Sequence, residues 1–296
     1  MTNSFTCPIC ASSHYKLYLK LIDHNITKEE FEIIQCESCL LLQTHPIPKN
    51  LDRYYESNQY ISHADKPTTL IDKVYFKARD YTMTWKEKLI TRSKPLNKTI
   101  LDYGCGTGIF LKHCADKHWN ITGVEPSEQA RAIAITNTKA SIQPNIISIP
   151  QPHFEVITLW HVLEHLRDLN QTLTSLTQKL SKTGTMFIAV PNYKSQDAEF
   201  YANFWAAYDV PRHLWHFSKT TMQQLLKQHR LKTTEIIPMK LDAYYVSMLS
   251  EKYKHNDHQT LRTLLPAIAI ATRSNIMAKR TGEYSSLIYV IRHETA

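Results

Sequence analysis

Leu101-Asp102-Tyr103-Gly104-Cys105-Gly106-Thr107-Gly108 decides the reading of this chain, because three of its six glycines fall within five residues. Glycine is needed where the backbone turns with positive φ or must approach a ligand with no Cβ in the way. Thr99 to Asp102 reads as a short apolar strand and Ile109 to Lys117 as a helix, so the cluster lies between strand and helix, where cofactor loops lie. Asn120 to Glu125 reads as a second strand, and Ser127 caps a helix to about Thr136. Glu125 comes 21 residues after Gly104, where a carboxylate can accept hydrogen bonds from both hydroxyls of a ribose. A dinucleotide loop would carry a third glycine at the sixth position, but that position is Ile109.

Further along, Phe154 to Trp160 reads as a strand, Leu169 to Leu180 as a helix and Thr185 to Val190 as a strand, with Gly184 making the turn before it. Ser218 caps a helix to about His229. Leu231 to Met239 and Ser285 to Arg292 read as the last strands, with a partly helical insertion between them. Strands alternating with helices predict a doubly wound α/β fold with a mainly parallel sheet.

The glycine stretch resembles the first motif of the class I S-adenosylmethionine-dependent methyltransferases. Gly123-Val-Glu-Pro-Ser127 is similar to their second motif. The run from Phe154 to Leu166, through Trp160-His161-Val-Leu-Glu164-His165, is similar to their fourth-strand signature, and Gly184 to Asn192 to their fifth strand. Asp209-Val-Pro-Arg-His-Leu-Trp-His-Phe-Ser218 resembles a later segment of one branch. The resemblance covers about Lys98 to Met239 and implies a Rossmann-like seven-stranded sheet with S-adenosylmethionine as cofactor. It implies that Asp102 holds the methionine end and Glu125 the ribose. Tyr103, Gly104, Cys105, Gly106, Gly108, Pro126, Trp160 and His161 would line the cofactor. The acidic residue that often ends the third strand of the family and binds adenine has no clear counterpart between Lys139 and Pro150.

Cys7-Pro-Ile-Cys10 and Cys36-Glu-Ser-Cys39 are two C-x-x-C pairs separated by 25 residues. Two such knuckles can close a four-sulfur structural zinc site. His14, His24 and His45 are nearby spare ligands. Nothing in Met1 to Cys10 resembles a secretory signal, and the run Leu264 to Ala271 is far shorter than the ~20 residues of a membrane span. The expectation is a cytoplasmic protein with reduced thiols and no membrane partner.

Three regions follow: a zinc-ribbon-like module at 1–48, a helical, aromatic-rich segment at 49–95 (Tyr54, Tyr55, Tyr60, Tyr75, Phe76, Tyr81, Trp85), and the methyltransferase domain at 96–296 with its insertion at about 241–284. The aromatics are either core or the lid of a ligand cleft.

Methyl transfer needs a base only when the nucleophile carries a proton of high pKa, and histidine suits that task near neutrality. His165 leads, followed by His161 and His213, with His216 in the same stretch. His161-x-x-Glu164-His165 also has a spacing able to hold a metal if it is helical, although hard ions want more carboxylate oxygens. Trp205, Tyr208 and Trp215 are either core or a wall for an acceptor ring. The chain resembles sugar-modifying methyltransferases with an N-terminal four-cysteine zinc module, although it departs from them in showing no counterpart of their long extra C-terminal domain, and the resemblance implies a small-molecule or saccharide acceptor. The charge of +8 keeps an RNA or protein acceptor as the alternative. A non-catalytic cofactor-binding module is the remaining one, against which the intact Asp102, glycines and Glu125 argue.

Overall fold

The computed structural model describes residues 6–55, 70–149, 153–255 and 261–294, with the side chains of 70–79 and 261–262 left aside. Tyr60 and the side chains of Tyr75 and Phe76 fall outside the described set. The strands are β1 (Tyr15–Ile22), β2 (Glu30–Cys36), β3 (Leu42–His45), β4 (Thr99–Tyr103), β5 (Asn120–Val124), β6 (Ile142–Gln143), β7 (Phe154–Trp160), β8 (Leu180–Pro191), β9 (Trp215–His216), β10 (Leu231–Pro238) and β11 (Ser286–His293). Seven of them form one sheet in the order β10-β11-β8-β7-β4-β5-β6. β4 pairs in parallel with β5 and with β7, and β5 with β6. The sequence order of these strands requires crossovers, and the helices supply them. This is the expected doubly wound, Rossmann-like arrangement.

The chain divides into two compact units, one of residues 1–55, 161–170 and 189–290, the other of 56–160, 171–188 and 291–296. In the second unit the central strands are apolar on both faces: Ile100, Leu101, Val124, Val156, Ile157 and Leu159 are buried, as a sheet covered on both sides demands. Helix α1 (Leu70–Thr91) agrees with the helical spacing of that segment, and α2 (Ile109–Ala115) starts directly at the glycine loop. Ser127 caps α3 (Glu128–Thr138) by accepting from Ala130 N. Helix α4 (Leu169–Lys179) runs straight into β8 at Leu180. Gly184 falls within the bounds of β8, but the chain bends there as expected. A Cβ there would come within 2.8 Å of Leu180 Cδ1 and Ser181 Oγ, four and three residues back, which a straight strand rising about 3.3 Å per residue would hold far apart, so both the bend and the close packing call for glycine.

In the first unit, β1, β2, β3 and β9 form a four-stranded sheet. β3 pairs antiparallel with β9 through Leu42 and His216 and through Gln43 and Trp215. The N-terminal strands thus share a sheet with residues far along the chain. Short helix α5 (Gln196–Tyr201) and the capped α6 (Lys219–Gln228) belong to the same unit. The insertion holds α7 (Asp242–Lys254) and α8 (Leu261–Thr281). Trp205 and Tyr208 lie in a core with Leu21, Phe31 and Tyr253, and Trp215 is buried as well. These aromatics are core residues. None of the described helices is long and apolar enough to cross a membrane.

Candidate functional site

The glycine loop is built by backbone bonds to the neighbouring strand. Gly104 N and Cys105 N both donate to Val124 O, at 2.8 and 3.0 Å, which folds the loop over the carboxyl end of β5. Gly106 has φ +55°, in the left-handed region that an L side chain enters only at a cost, and a Cβ placed on it would meet nothing within 4 Å. Gly108 has φ +76°, and its Cβ would press on Ala134 and Thr138 at 3.0 Å. One glycine therefore keeps open space beside the loop, and the other lets α2 pack on α3. Asn137 Nδ2 donates to Thr107 O at 2.9 Å and holds the loop from α3.

Glu125 follows β5 and closes on this loop. Its Oε2 accepts from Gly106 N at 2.8 Å and its Oε1 from Ser127 N at 2.9 Å. Pro126 stands between, its carbonyl held together with that of Glu125 by Arg131. The backbone bonds fix the direction of the carboxylate, and each oxygen keeps further lone pairs for a ligand.

Asp102 stands opposite Thr158 in the β4–β7 register and accepts from its hydroxyl at 2.6 Å. It is 2% exposed, and burial pushes its pKa up to about 6, against the Thr158 hydrogen bond and nearby Lys86. A buried carboxylate of this kind gains from a cationic partner. Lys86 Nζ lies 4.4 Å from the centre of the Trp160 ring, and Phe110 meets that ring edge-on at 5.5 Å. Trp160 Nε1 is buried without a hydrogen-bond partner. Tyr103 ends β4 partly exposed, while Cys105 is buried beside Gly123.

Asp102, Glu125, Gly104, Gly106, Gly108 and Trp160 thus belong to one compact unit, whereas His161 belongs to the other. Thr158, Lys86 and Asn137 went unread in the sequence. For Thr158 a signal existed, as the one polar side chain of uncharged type inside the apolar strand Phe154–Trp160.

The histidines form a second group. His161 has φ +56°, its Nε2 lies 3.1 Å from Asp242 and its Nδ1 3.4 Å from Glu164. Burial opposes its charge, but Asp242 and Glu164 outweigh it and raise the pKa to about 9. Such a ring is protonated at neutral pH and takes up no further proton. His165 is the reverse: burial and the neighbouring His213 push it down to about 4. A ring held that low is a weak proton acceptor, which counts against the expected general base. Its Nδ1 sits 3.0 Å from both Arg212 O and Tyr55 Oη. His213 Nδ1 lies 2.9 Å from Ala207 O, and its ring stands edge-on to His165 at 4.5 Å. His216 is buried against Thr44 Oγ1 at 3.1 Å and held well below the usual range by burial.

Arg212, 1% exposed in its side chain, anchors this group. It donates to Asp209 at 2.7 to 3.1 Å, to Asp23 at 3.0 Å and to Tyr54 O at 3.0 Å.

The four cysteines of the N-terminal pairs converge. Cys7 and Cys39 sulfurs are 3.3 Å apart, those of Cys10 and Cys36 3.4 Å, and all four lie within 4.8 Å of one another. A tetrahedral zinc with sulfurs at 2.3 Å separates them by about 3.8 Å, so the set fits the ion. Each knuckle closes alike: Ala11 N donates to Cys7 O at 2.9 Å and Leu40 N to Cys36 O at 3.0 Å, with Ala11 and Leu40 both at positive φ. His24 is not drawn in; it stacks on Tyr253 with ring centres 4.7 Å apart.

Comparison with known proteins agrees with this geometry. The "Ubiquinone biosynthesis O-methyltransferase" of Hydrogenovibrio crunogenus is 31% identical over 110 residues, covering 33% of this chain and 46% of that protein. Its namesake from Yersinia enterocolitica is 31% identical over 105 residues, covering 32% and 43%. The chain thus spans less than half the length of these curated relatives. A putative sarcosine dimethylglycine methyltransferase from Galdieria sulphuraria shares the fold, with a TM-score of 0.51 at 13% identity over 74% of this chain and 87% of that one. The family model for a methyltransferase domain matches residues 75–236, more than half of the sequence and all of the glycine loop, Glu125 and Asp102. The chain belongs to the methyltransferase-domain family.

Proposed function

We propose that the protein transfers a methyl group from S-adenosylmethionine to a small-molecule or saccharide-type acceptor. The single observation that carries the cofactor reading is the Glu125 carboxylate locked to Gly106 N, beside a glycine whose missing Cβ leaves the loop bare. Backbone and carboxylate together suit an adenosyl ligand: the loop takes the flat body and Glu125 the ribose hydroxyls. Asp102, buried and raised in pKa, suits the cationic methionine end. The unpartnered Trp160 N–H and the open face of Gly106 are what a polar heterocyclic ligand would use. When bound, the cofactor supplies an electrophilic methyl on sulfur, and the protein contributes chiefly by holding the reactants in attack geometry, worth up to about 7–11 kcal/mol.

The names of the relatives support O-methylation of a small molecule. The cysteine cluster supports a structural zinc: four thiolates leave no open position for chemistry. The test has two stages. Calorimetry should detect S-adenosylmethionine binding that Glu125→Ala weakens. Labelled cofactor should then transfer its methyl to hydroxylated small molecules. Transfer to RNA or protein instead, falling steeply with added salt, would move the acceptor to the alternative class; absence of cofactor binding would end the reading.

A further inference from the structure

Glu164 is 1% exposed, and neither of its carboxylate oxygens accepts a hydrogen bond. An ionised carboxylate buried without hydrogen bonds costs several kcal/mol and calls for compensation. His161 Nδ1, 3.4 Å from one oxygen, gives part of the charge balance, but the ring is shared with Asp242 and stands outside the cluster formed next to it. One ligand atom each of Glu164, His165 and His213 lies within 4.8 Å of the others.

The hydrogen bonds of the two imidazoles fix what they offer. His165 Nδ1 lies against Arg212 O and His213 Nδ1 against Ala207 O. A carbonyl only accepts, so each Nδ1 donates, that of His165 with Tyr55 Oη also 3.0 Å away, and Nε2 is the nitrogen left to bear a lone pair for a ligand. That is how metal-binding histidines are oriented: one ring nitrogen tied to a backbone oxygen, the other left as donor to the ion. Glu164, whose oxygens accept no hydrogen bond, thus lies beside two imidazoles that each keep a second ring nitrogen to offer a cation, that of His213 also 4.0 Å from Asp209 Oδ2. The support is rigid, because Arg212 is held by Asp209, Asp23 and Tyr54 O, and Leu214 N donates to Glu164 O at 2.7 Å.

We propose that Glu164, His165 and His213 bind one divalent transition-metal ion, with positions left open to an oxygen ligand. Two imidazoles to one carboxylate favour borderline ions such as Fe²⁺, Co²⁺ or Zn²⁺ over Mg²⁺ and Ca²⁺, which want mostly oxygen, and Mn²⁺, harder than the first three, serves as a weaker-binding probe. The set differs from the spacing His161-x-x-Glu164-His165: the third donor comes from the distant His213, and His161 is taken up by Asp242. In this arrangement His165 is a ligand and not the base that accepts a proton from the acceptor.

The full chain, given one equivalent of Zn²⁺ to fill its thiolates and no more, is titrated with Mn²⁺ while the electron paramagnetic resonance of free Mn²⁺ is followed, since Mn²⁺ competes poorly for thiolate sites. A single Mn²⁺ per chain is expected. Glu164→Gln and His213→Gln should each weaken it at least about tenfold, whereas His161→Gln should keep it. Should Glu164→Gln fail to fold, a crystal of the Mn²⁺-soaked protein decides by the anomalous peak: between Glu164, His165 and His213 it supports the site, elsewhere it overturns it. Wild type that retains no Mn²⁺, Co²⁺ or second Zn²⁺, or Mn²⁺ binding indifferent to Glu164→Gln, overturns the proposal. Cofactor affinity, measured apart without Mn²⁺, shows whether the methyl-transfer reading has failed with it.

Discussion

Replacing Gly106 by alanine separates the cost to the fold from the cost to the ligand. Its φ of +55° is retained only if an L residue is forced into the left-handed region, at about 1–2 kcal/mol. With a melting entropy of about 2.1 cal/mol/K per residue over 296 residues, roughly 0.6 kcal/mol/K, the melting temperature should fall by only about 2–3 °C. No steric term adds to this, since the new methyl meets nothing within 4 Å. On the proposed function the same open face is where the loop presses against the adenosyl ligand, so the methyl would stand in the way of binding. We expect Gly106→Ala to weaken S-adenosylmethionine at least about tenfold, or roughly 1.4 kcal/mol, and Gly106→Arg to abolish binding, both with near-native melting. Thermal denaturation and isothermal calorimetry on the same preparations give the two numbers. Wild-type affinity in Gly106→Ala would refute the reasoning, and so would a melting loss beyond about 6 °C, which would mean that the loop supports the fold itself.

Asp102 should show a pH signature. Its folded pKa of about 6 lies above the ordinary 3.8, so the folded state binds the extra proton, and the unliganded protein loses stability as pH rises from about 4 to 6, by roughly 3 kcal/mol in full. Asp102→Asn should therefore melt higher than wild type at pH 7 and converge on it near pH 4, while affinity for the cationic cofactor falls below pH 6 in wild type alone; denaturation and calorimetry across that range check both. Arg212→Met leaves Asp23 and Asp209 buried without their cation and should destabilise by about 3–5 kcal/mol, measured by urea unfolding; a loss under about 1 kcal/mol would show the triad to be dispensable. Elemental analysis of protein purified without chelator should find at least one zinc per chain, and Cys10→Ser should hold one fewer than wild type, whereas a zinc-free wild type would remove the thiolate site.

What the sequence revealed was local. The glycines, Glu125 and the cap at Ser127 lie within about a turn of the element they serve, so composition and spacing sufficed. The cysteine pairs were legible for the same reason, each being one tight knuckle. Contacts made across the fold were not legible. Thr158 meets Asp102 only through the β4–β7 register, Lys86 reaches Trp160 from a helix before the sheet begins, and Arg212 gathers residues from Asp23 to Asp209. The histidine roles could not be read because they depend on which carboxylates converge: Asp242, in the insertion, sets the charge of His161.

The pairing of β3 with β9 bears on how this molecule can be taken apart. Trp215 and His216 complete their ladder on Leu42 and Gln43, so excising the cysteine-bearing leader would strip a hydrogen-bonded margin from the remainder and uncover an indole now 6% exposed. The leader is sewn in rather than clipped on, and grafting it onto a foreign scaffold would carry a raw seam to both products.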